Sequence, residues 1–172
     1  MKMYLASKRV LVGMFVLACA FCARLSHAQD ASSVAALVGT WTLVAADVQH
    51  PDGTRARDYG MAPKGLLLID PMGNYSLQIF KSERPKFDSA DKSMGTPMEF
   101  KAAVMGSSTH FGKLSVDQGA GTLTFQVENA SFPNWEGQSQ KRIYELKGDQ
   151  LSYRVVARPN GDVPISVWQR MK

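Results

Sequence analysis

Short apolar segments separated by turn residues recur along most of the chain, and this pattern constrains the fold more than any other feature of the sequence. Between residues 122 and 128, Leu123, Phe125 and Val127 alternate with polar residues, and residues 151–155 alternate in a similar way. An alternation of period two gives a strand one apolar face and one polar face. The pattern therefore predicts an all-β domain, either a sandwich or a barrel.

Eight segments have the character of strands, and loops of hairpin length join most of them. The predicted strands cover residues 39–49, 64–70, 74–81, 109–117, 122–128, 140–147, 150–158 and 163–171. Turn-forming sequences such as Asp70-Pro71-Met72-Gly73 fall between them. Antiparallel strands in this order either form two packed sheets or close into a barrel, and closure removes the exposed sheet edges.

The connection from residue 82 to residue 108 is the long exception, and it contains the predicted helix over residues 97–105. Thr96 is suited to the N-cap, Pro97 to the first helical position, and Glu99 lies three residues after the cap. Long connections of this kind are usually lids or binding loops. We therefore expect this segment to be a mobile element over one mouth of the barrel.

The first 28 residues have the layout of a secretory signal peptide. Lysine and arginine residues precede an apolar run over residues 10–20, and Ser26-His27-Ala28 supplies small residues at the cleavage positions before Gln29. The run is shorter than the roughly 18 apolar residues that a stable membrane span requires. The sequence therefore predicts export to the periplasm or the medium, with no stable membrane span after cleavage.

Cleavage after Ala28 leaves residues 29–172 as a single domain and changes two inferences. Cys19 and Cys22 both lie in the leader, so the mature domain has no disulfide and no thiolate metal site. Four of the 20 Lys and Arg residues and none of the 15 Asp and Glu residues lie there too, which leaves a net charge of +1. The mature domain then lacks the excess of positive charge that is typical of nucleic-acid-binding proteins. An imperfect lipobox ending at Cys19 leaves a lipid-anchored form as the alternative.

Gly39-Thr40-Trp41, at the start of the first predicted strand, is the G-x-W feature of the lipocalin and wider calycin barrels. Further segments follow it in order: Lys64–Leu68, Asp70–Ser76, Arg84–Phe87, His110–Gly112, Ser131–Trp135, Arg142–Leu146 and Val167–Arg170. In this order and spacing they resemble the bacterial and fungal lipocalin-like domain family over about residues 37–171.

This resemblance implies an eight-stranded antiparallel up-and-down barrel with a central cavity and one short helix in a long loop. Lipocalin-like barrels generally bind small apolar molecules, and a minority of related barrels catalyse isomerisation or cyclisation. Our first hypothesis is an exported, non-catalytic barrel that binds a small apolar or amphipathic molecule. The alternatives are an isomerase or cyclase that uses the same cavity, and a filled barrel with a structural role in the envelope.

The resemblance also implies that Trp41 closes one end of the barrel, with Arg170 stacked on its ring. Such a contact combines apolar burial with a cation–π attraction of about 0.5–2 kcal/mol. Arg154 and Arg158 are the alternative partners for this tryptophan.

Seven residues are candidate ligand contacts, because their polar or aromatic side chains fall on predicted strands or in one connecting loop. They are Ser76, Gln78, His110, Asn134, Trp135, Arg142 and Tyr144. If the strands face an interior cavity, we expect a ligand with an apolar body and one polar or anionic end near Arg142 and Tyr144. In an ordinary domain the polar strand residues would face solvent, Trp135 would plug a barrel end and His110 would be a structural, hydrogen-bonded group.

The sequence assigns no catalytic residue, no metal ligand and no cofactor. It contains no H-x-x-x-H, no P-loop, no G-x-S-x-G and no dinucleotide-binding glycine motif. If the enzyme alternative applies, His110, Tyr144 and Arg142 are the first candidates for proton transfer.

The predicted leader has a direct test. The mature protein is expected to begin at Gln29, because the apolar run is followed by a small-residue cleavage site. Intact-mass analysis of protein recovered from an exporting host measures this terminus. Recovery of an uncleaved Met1 or a lipid-modified Cys19 would contradict the prediction.

Overall fold

The structure is a computed structural model that describes residues 34–172. The predicted leader, Cys19 and the predicted mature terminus Gln29 lie outside the described residues. The elements are β1 (Gly39–Gln49), β2 (Arg55–Ala56), β3 (Lys64–Ile69), β4 (Asn74–Phe80), α1 (Pro97–Met105), β5 (Ser107–Asp117), β6 (Thr122–Ala130), β7 (Ser139–Lys147), β8 (Gln150–Arg154) and β9 (Val163–Arg170). Three short 3-10 turns cover Ala35–Leu37, Lys92–Met94 and Pro133–Trp135.

The strands form one antiparallel sheet that closes on itself. β3 to β9 follow one another in sequence order, while β1 pairs with β3 on one side and with β9 on the other. The two-residue β2 adds only to the far end of β1, where Val48 faces Ala56. The barrel wall therefore consists of eight strands in up-and-down order, which confirms the predicted fold, and β2 is a short addition that the sequence analysis missed.

The tight connection between β3 and β4 shows how a short sequence dictates a hairpin. The Asp70 carboxylate accepts hydrogen bonds from the backbone N–H groups of Met72 and Asn74, each at 2.8 Å. Gly73 has a φ of +77°, a conformation that residues with a Cβ rarely adopt. A Cβ at Gly73 would also lie 2.8 Å from the Leu114 carbonyl oxygen. This turn therefore requires glycine both for its backbone angle and for the close approach of β5.

Trp41 closes one end of the barrel and is fully buried. Its indole Nε1 donates a hydrogen bond to the Leu37 carbonyl oxygen at 2.9 Å. The Arg170 guanidinium carbon lies 4.0 Å from the centre of the Trp41 ring. The same guanidinium donates to the carbonyl oxygens of Val38 and, at 2.7 Å, Ala36. The turn before the first strand and the end of the last strand thus hold the same indole from two sides.

β8 ends at Arg154, earlier than the predicted strand over residues 150–158. Pro164, in the facing strand β9, has no N–H to donate, so the ladder between β8 and β9 cannot continue in its regular pattern. Arg158 lies in the loop that follows and pairs with the Asp58 carboxylate at 3.0 Å. Neither Arg154 nor Arg158 takes the position beside the closing tryptophan.

The long segment before β5 packs mainly on itself. α1 begins with a capping box, in which Thr96 Oγ1 accepts from the Glu99 N–H at 3.3 Å and the Glu99 carboxylate accepts from the Thr96 N–H at 2.7 Å. Phe87 and Phe100 meet edge to face with ring centres 5.4 Å apart. No residue of α1 is buried. The predicted helix is present, and it lies on the surface of the domain.

The closing tryptophan gives a stability prediction. Trp41→Ala should lower the free energy of unfolding by about 3–5 kcal/mol, because it removes a large buried aromatic side chain and leaves a cavity. The exposed neighbour on the same strand supplies the control: Thr42→Ala should change stability by no more than about 0.5 kcal/mol. Urea denaturation measures both, and a loss below about 1 kcal/mol for Trp41→Ala would contradict its role as the closing residue.

Candidate functional site

A cavity of about 490 Å³ lies in the half of the barrel away from Trp41 and opens at the rim. Residues of β1, β4, β5, β7, β8 and β9 form its wall, together with the loop before β3, the turn before β7 and the loop after β8. Its apolar and aromatic lining consists of Ala46, Tyr59, Leu77, Ile79, Trp135, Tyr153, Val155, Val156, Pro164 and Ile165. The interior therefore has open volume, which the filled-barrel alternative does not provide for.

His110 lies at the centre of an aromatic cluster in the wall of this cavity. Its ring meets those of Tyr75 and Phe125 edge to face at 5.4 Å each, and that of Trp135 at 6.0 Å. Phe125 in turn contacts Tyr153 at 5.7 Å. Four strands and one turn contribute these rings, so the cluster depends on the complete barrel. It gives one side of the cavity a rigid aromatic surface.

One hydrogen bond sets the orientation of the histidine. Tyr75 Oη and His110 Nδ1 are 2.9 Å apart, and both residues are buried. The buried tyrosine hydroxyl has no other partner among the described residues, so its proton is best satisfied by donation to Nδ1. In that tautomer Nε2 carries the hydrogen and has no acceptor in the described part of the chain. His110 can therefore supply a hydrogen bond to a bound molecule.

The cavity keeps His110 uncharged. Burial lowers the pKa of His110 to about 4, and the positive charge of Arg142 contributes to the same shift. Burial also raises the pKa of Tyr75 and of Tyr153 above the ordinary value for tyrosine. All three groups are neutral near pH 7, so this arrangement favours hydrogen bonding over proton abstraction.

Arg142 places a positive charge in the cavity wall. It is half-buried on the inward face of β7, and burial lowers the pKa of its guanidinium, which remains protonated at neutral pH. The guanidinium donates to Gln140 Oε1 at 2.6 Å and to the Lys141 carbonyl oxygen at 3.0 Å. Within residues 34–172 it has no carboxylate within 4.0 Å.

The two carboxylates in the cavity wall are both paired at the rim. Asp47 lies 3.3 Å from the Arg57 guanidinium, and Asp58 lies 3.0 Å from that of Arg158. These pairs connect β1 and the loop before β3 with each other and with the loop after β8. Neither acid is therefore available to neutralise Arg142.

The expectation that Ser76 and Gln78 face the interior is wrong. On β4 the buried positions are Tyr75, Leu77 and Ile79, so the two polar residues point outward. They line a separate, shallow groove of about 420 Å³ on the outer face. The larger apolar side chains of β4 occupy the interior because their burial removes more apolar surface from water.

The remaining predicted contacts divide between the cavity and its surroundings. His110, Trp135 and Arg142 come together in the cavity wall. Tyr144 shares the inward face of β7 with Arg142, but it packs against the core and does not line the cavity. Asn134 lies in the exposed turn before β7, where its carbonyl oxygen accepts from Gln138 Nε2 at 2.7 Å, and it is not part of the cavity wall either.

The predicted lid does not cover the cavity. Of the segment from residue 82 to residue 108, only Ser108 lines the wall. The rim is built instead by Asp58 and Tyr59, in the loop before β3, and by Val156 and Arg158, in the loop after β8. Sequence reasoning assigned the second of these loops to a strand. The alternation over residues 151–155 was the signal that could have identified Tyr153 as a wall residue.

No group of three or more histidine, cysteine, aspartate or glutamate side chains is placed to hold a metal ion in the described part of the chain. Within the same residues, no helix combines the length and the apolar character needed to cross a membrane.

A family model and a curated protein both match this chain. The family model for a lipocalin-like domain matches residues 38–171. Among curated proteins, the 4'-hydroxy-3'-methoxypropiophenone carrier protein ppsC of Aspergillus oryzae is 29% identical over 87 residues, which cover 47% of this chain and 78% of that protein.

Two solved structures are similar at low identity. A lipocalin-like protein from Bacteroides uniformis has 15% identity and a TM-score of 0.42, with 79% of this chain and 99% of that chain covered. A variant of the fluorescent protein UnaG has 13% identity and a TM-score of 0.34, with 77% and 94% covered.

The neutral histidine predicts a pH dependence of stability. Between about pH 6.5 and pH 4 the unfolded chain binds a proton at His110 that the folded protein does not, so the stability present above this window is lost as the pH falls through it. Between pH 7 and pH 5, the preferential protonation of His110 in the unfolded chain should lower the free energy of unfolding by about 2 kcal/mol. Urea denaturation at the two pH values should show a smaller loss for His110→Gln than for the wild type. The control His50→Gln changes a histidine that does not line the cavity, and it should retain most of the wild-type loss of stability. An identical loss in His110→Gln and wild type would show that His110 titrates normally.

Proposed function

The chain belongs to the lipocalin-like domain family, and from that premise we propose that it is an exported carrier that binds a small apolar or amphipathic molecule in the barrel cavity. The observation that carries the proposal is the cavity of about 490 Å³ at the open end of the barrel. Small-molecule sites in proteins commonly have volumes of about 300–1,000 Å³ and mostly apolar walls with a few polar groups. The volume of this cavity lies in that range, and its wall combines apolar and aromatic residues with polar and charged ones.

The wall chemistry favours a ligand with an aromatic body. The rings of His110, Trp135 and Tyr153 offer flat surfaces and edges, and Leu77 and Ile79 complete an apolar side. Aromatic pairs in offset or edge-to-face contact contribute about 0.5–1.5 kcal/mol beyond the burial of area. A compact aromatic molecule with one hydrogen-bond acceptor therefore matches the cavity better than a long alkyl chain does.

The fungal relative supports the same class of ligand. Its name describes a carrier of 4'-hydroxy-3'-methoxypropiophenone, a small phenolic ketone. Carried over to this chain, the ring of such a compound would lie in the aromatic cluster, and its oxygen atoms would face Arg142 and His110. We propose aromatic ketones and phenols as the first compounds to test.

Export is the second part of the proposal. It rests on the sequence of the first 28 residues, in which a positively charged start, an apolar run and a small-residue site follow one another. An exported carrier encounters its ligand outside the cytoplasm. The mass analysis proposed above tests this part independently of binding.

Binding is tested with a neutral fluorescent probe, N-phenyl-1-naphthylamine, added to the mature protein. We expect a Kd in the low micromolar range, about −8 kcal/mol, and displacement of the probe by 4'-hydroxy-3'-methoxypropiophenone. Ala46→Phe places a large ring in the cavity and should weaken probe binding by about tenfold or more. Thr42→Phe puts the same ring on the exposed face of the same strand and should leave binding unchanged.

Circular dichroism confirms that each variant is folded before its binding is interpreted. If Ala46→Phe does not fold, Ser166→Leu fills the same cavity from β9, since Ser166 faces Ala46 across the strand pair. Absence of probe binding to the folded wild type, or equal binding by the cavity and surface variants, would contradict the proposed function.

A further inference from the structure

We propose that Arg142 makes the cavity selective for small aromatic molecules that carry an anionic group, so that the natural ligand is an aromatic acid or an acidic phenol bound as its anion. This inference rests on the proposed function, because it concerns which small molecules the cavity prefers. Its basis is the distribution of charge in the cavity wall.

The cavity contains one half-buried cation whose charge is not balanced nearby. Asp47 and Asp58 are the acids of the wall, and each is already paired with a rim arginine, Arg57 and Arg158 respectively. Within residues 34–172, Arg142 has only neutral partners, an amide oxygen and a backbone carbonyl oxygen. A charge that is partly removed from water without a counter-ion destabilises the protein. An anion that enters the cavity would be attracted to the Arg142 guanidinium without having to displace an existing ion pair.

The Arg142 guanidinium also has N–H groups that these two hydrogen bonds do not use. An arginine has five N–H groups in a fixed planar fork, and the two hydrogen bonds of Arg142 use one on each terminal nitrogen. The remaining donors suit the two oxygens of a carboxylate, which binds guanidinium through paired hydrogen bonds. A sulfonate or a phenolate oxygen can use the same donors.

His110 adds a second, uncharged donor to the cavity wall. Its Nδ1 is held by the Tyr75 hydroxyl, so the Nε2–H is left for a bound acceptor. Since the ring stays neutral, His110 contributes a directional hydrogen bond without adding a second positive charge. Its neighbour Trp135 provides the aromatic surface against which the ring of the ligand packs.

Two matched probes separate the anionic group from the aromatic body. 8-Anilinonaphthalene-1-sulfonate and N-phenyl-1-naphthylamine share the same ring system, and only the first carries a sulfonate. We expect the wild type to bind the sulfonate probe more tightly than the neutral one. Arg142→Gln should weaken the sulfonate probe by about 10- to 100-fold, the range for losing a hydrogen bond to a charged group, and change the neutral probe by less than about threefold.

Lys101, on α1, supplies the charge-matched control. It is exposed and does not line the cavity, and Lys101→Gln removes the same unit of positive charge as Arg142→Gln. It should weaken the sulfonate probe by less than about threefold, because an exposed charge is screened by water and salt. Ala46→Phe should weaken binding of both probes by about tenfold or more, which assigns the signal to the cavity and not to apolar groups on the surface.

The outcomes distinguish this inference from the proposed function. The anion selectivity is wrong, and the carrier function stands, in either of two cases. In the first, the wild type binds the sulfonate probe no more tightly than the neutral probe. In the second, Arg142→Gln weakens the binding of both probes equally. Equal effects of Arg142→Gln and Lys101→Gln on binding of the sulfonate probe would also overturn the role of Arg142. If neither probe binds the folded wild type, the proposed function and the selectivity fail together.

Discussion

The antiparallel pairing of the first barrel strand with the last is the constraint on which the rest of the structure depends. β1 and β9 pair from Trp41 opposite Arg170 to Gln49 opposite Val163, so the contact joins the two ends of the described chain. It removes the two edges that an open sheet would expose. The same pairing brings Arg170 onto the Trp41 ring and within hydrogen-bonding distance of the turn before β1. The closed end therefore exists only when the whole barrel has formed.

The two halves of the barrel interior differ because their side chains differ in size. Around the closed end, Trp41, Trp168 and Leu151 are fully buried and occupy the space between the strands. Further along the same strand pair, Ala46 faces Ser166, and both line the cavity. An eight-stranded barrel is just wide enough to be filled by side chains or to hold one small ligand. Large side chains fill the interior around Trp41, and the small side chains of Ala46 and Ser166 leave space between the strands in the other half.

In the half of the barrel that contains the cavity, the two acids of the wall are paired and the histidine is neutral, while no carboxylate within residues 34–172 pairs with Arg142. The rim acids are matched with arginines, His110 is held uncharged by burial and by the nearby guanidinium, and Arg142 retains unused donors. In a partly enclosed cavity such groups interact more strongly with a ligand than they would in water. This pattern suits recognition by hydrogen bonds and charge. A histidine with a pKa of about 4 is a weak proton acceptor, so the same groups are less suited to general base catalysis.

The sequence alone determined the strand pattern and the helix over residues 97–105, because alternation, turn residues and capping residues are local signals. The closing position of Trp41 followed from the resemblance to the lipocalin-like family. The sequence also identified His110, Trp135 and Arg142, which the structure brings together in the cavity wall. Local signals could not decide which face of β4 points inward, so Ser76 and Gln78 were assigned to the wrong side. Nor could they show that loops before β3 and after β8 form the rim, or that Tyr75 holds a histidine on another strand. Those features depend on contacts between residues far apart in the chain, and only closure of the sheet establishes which of them meet.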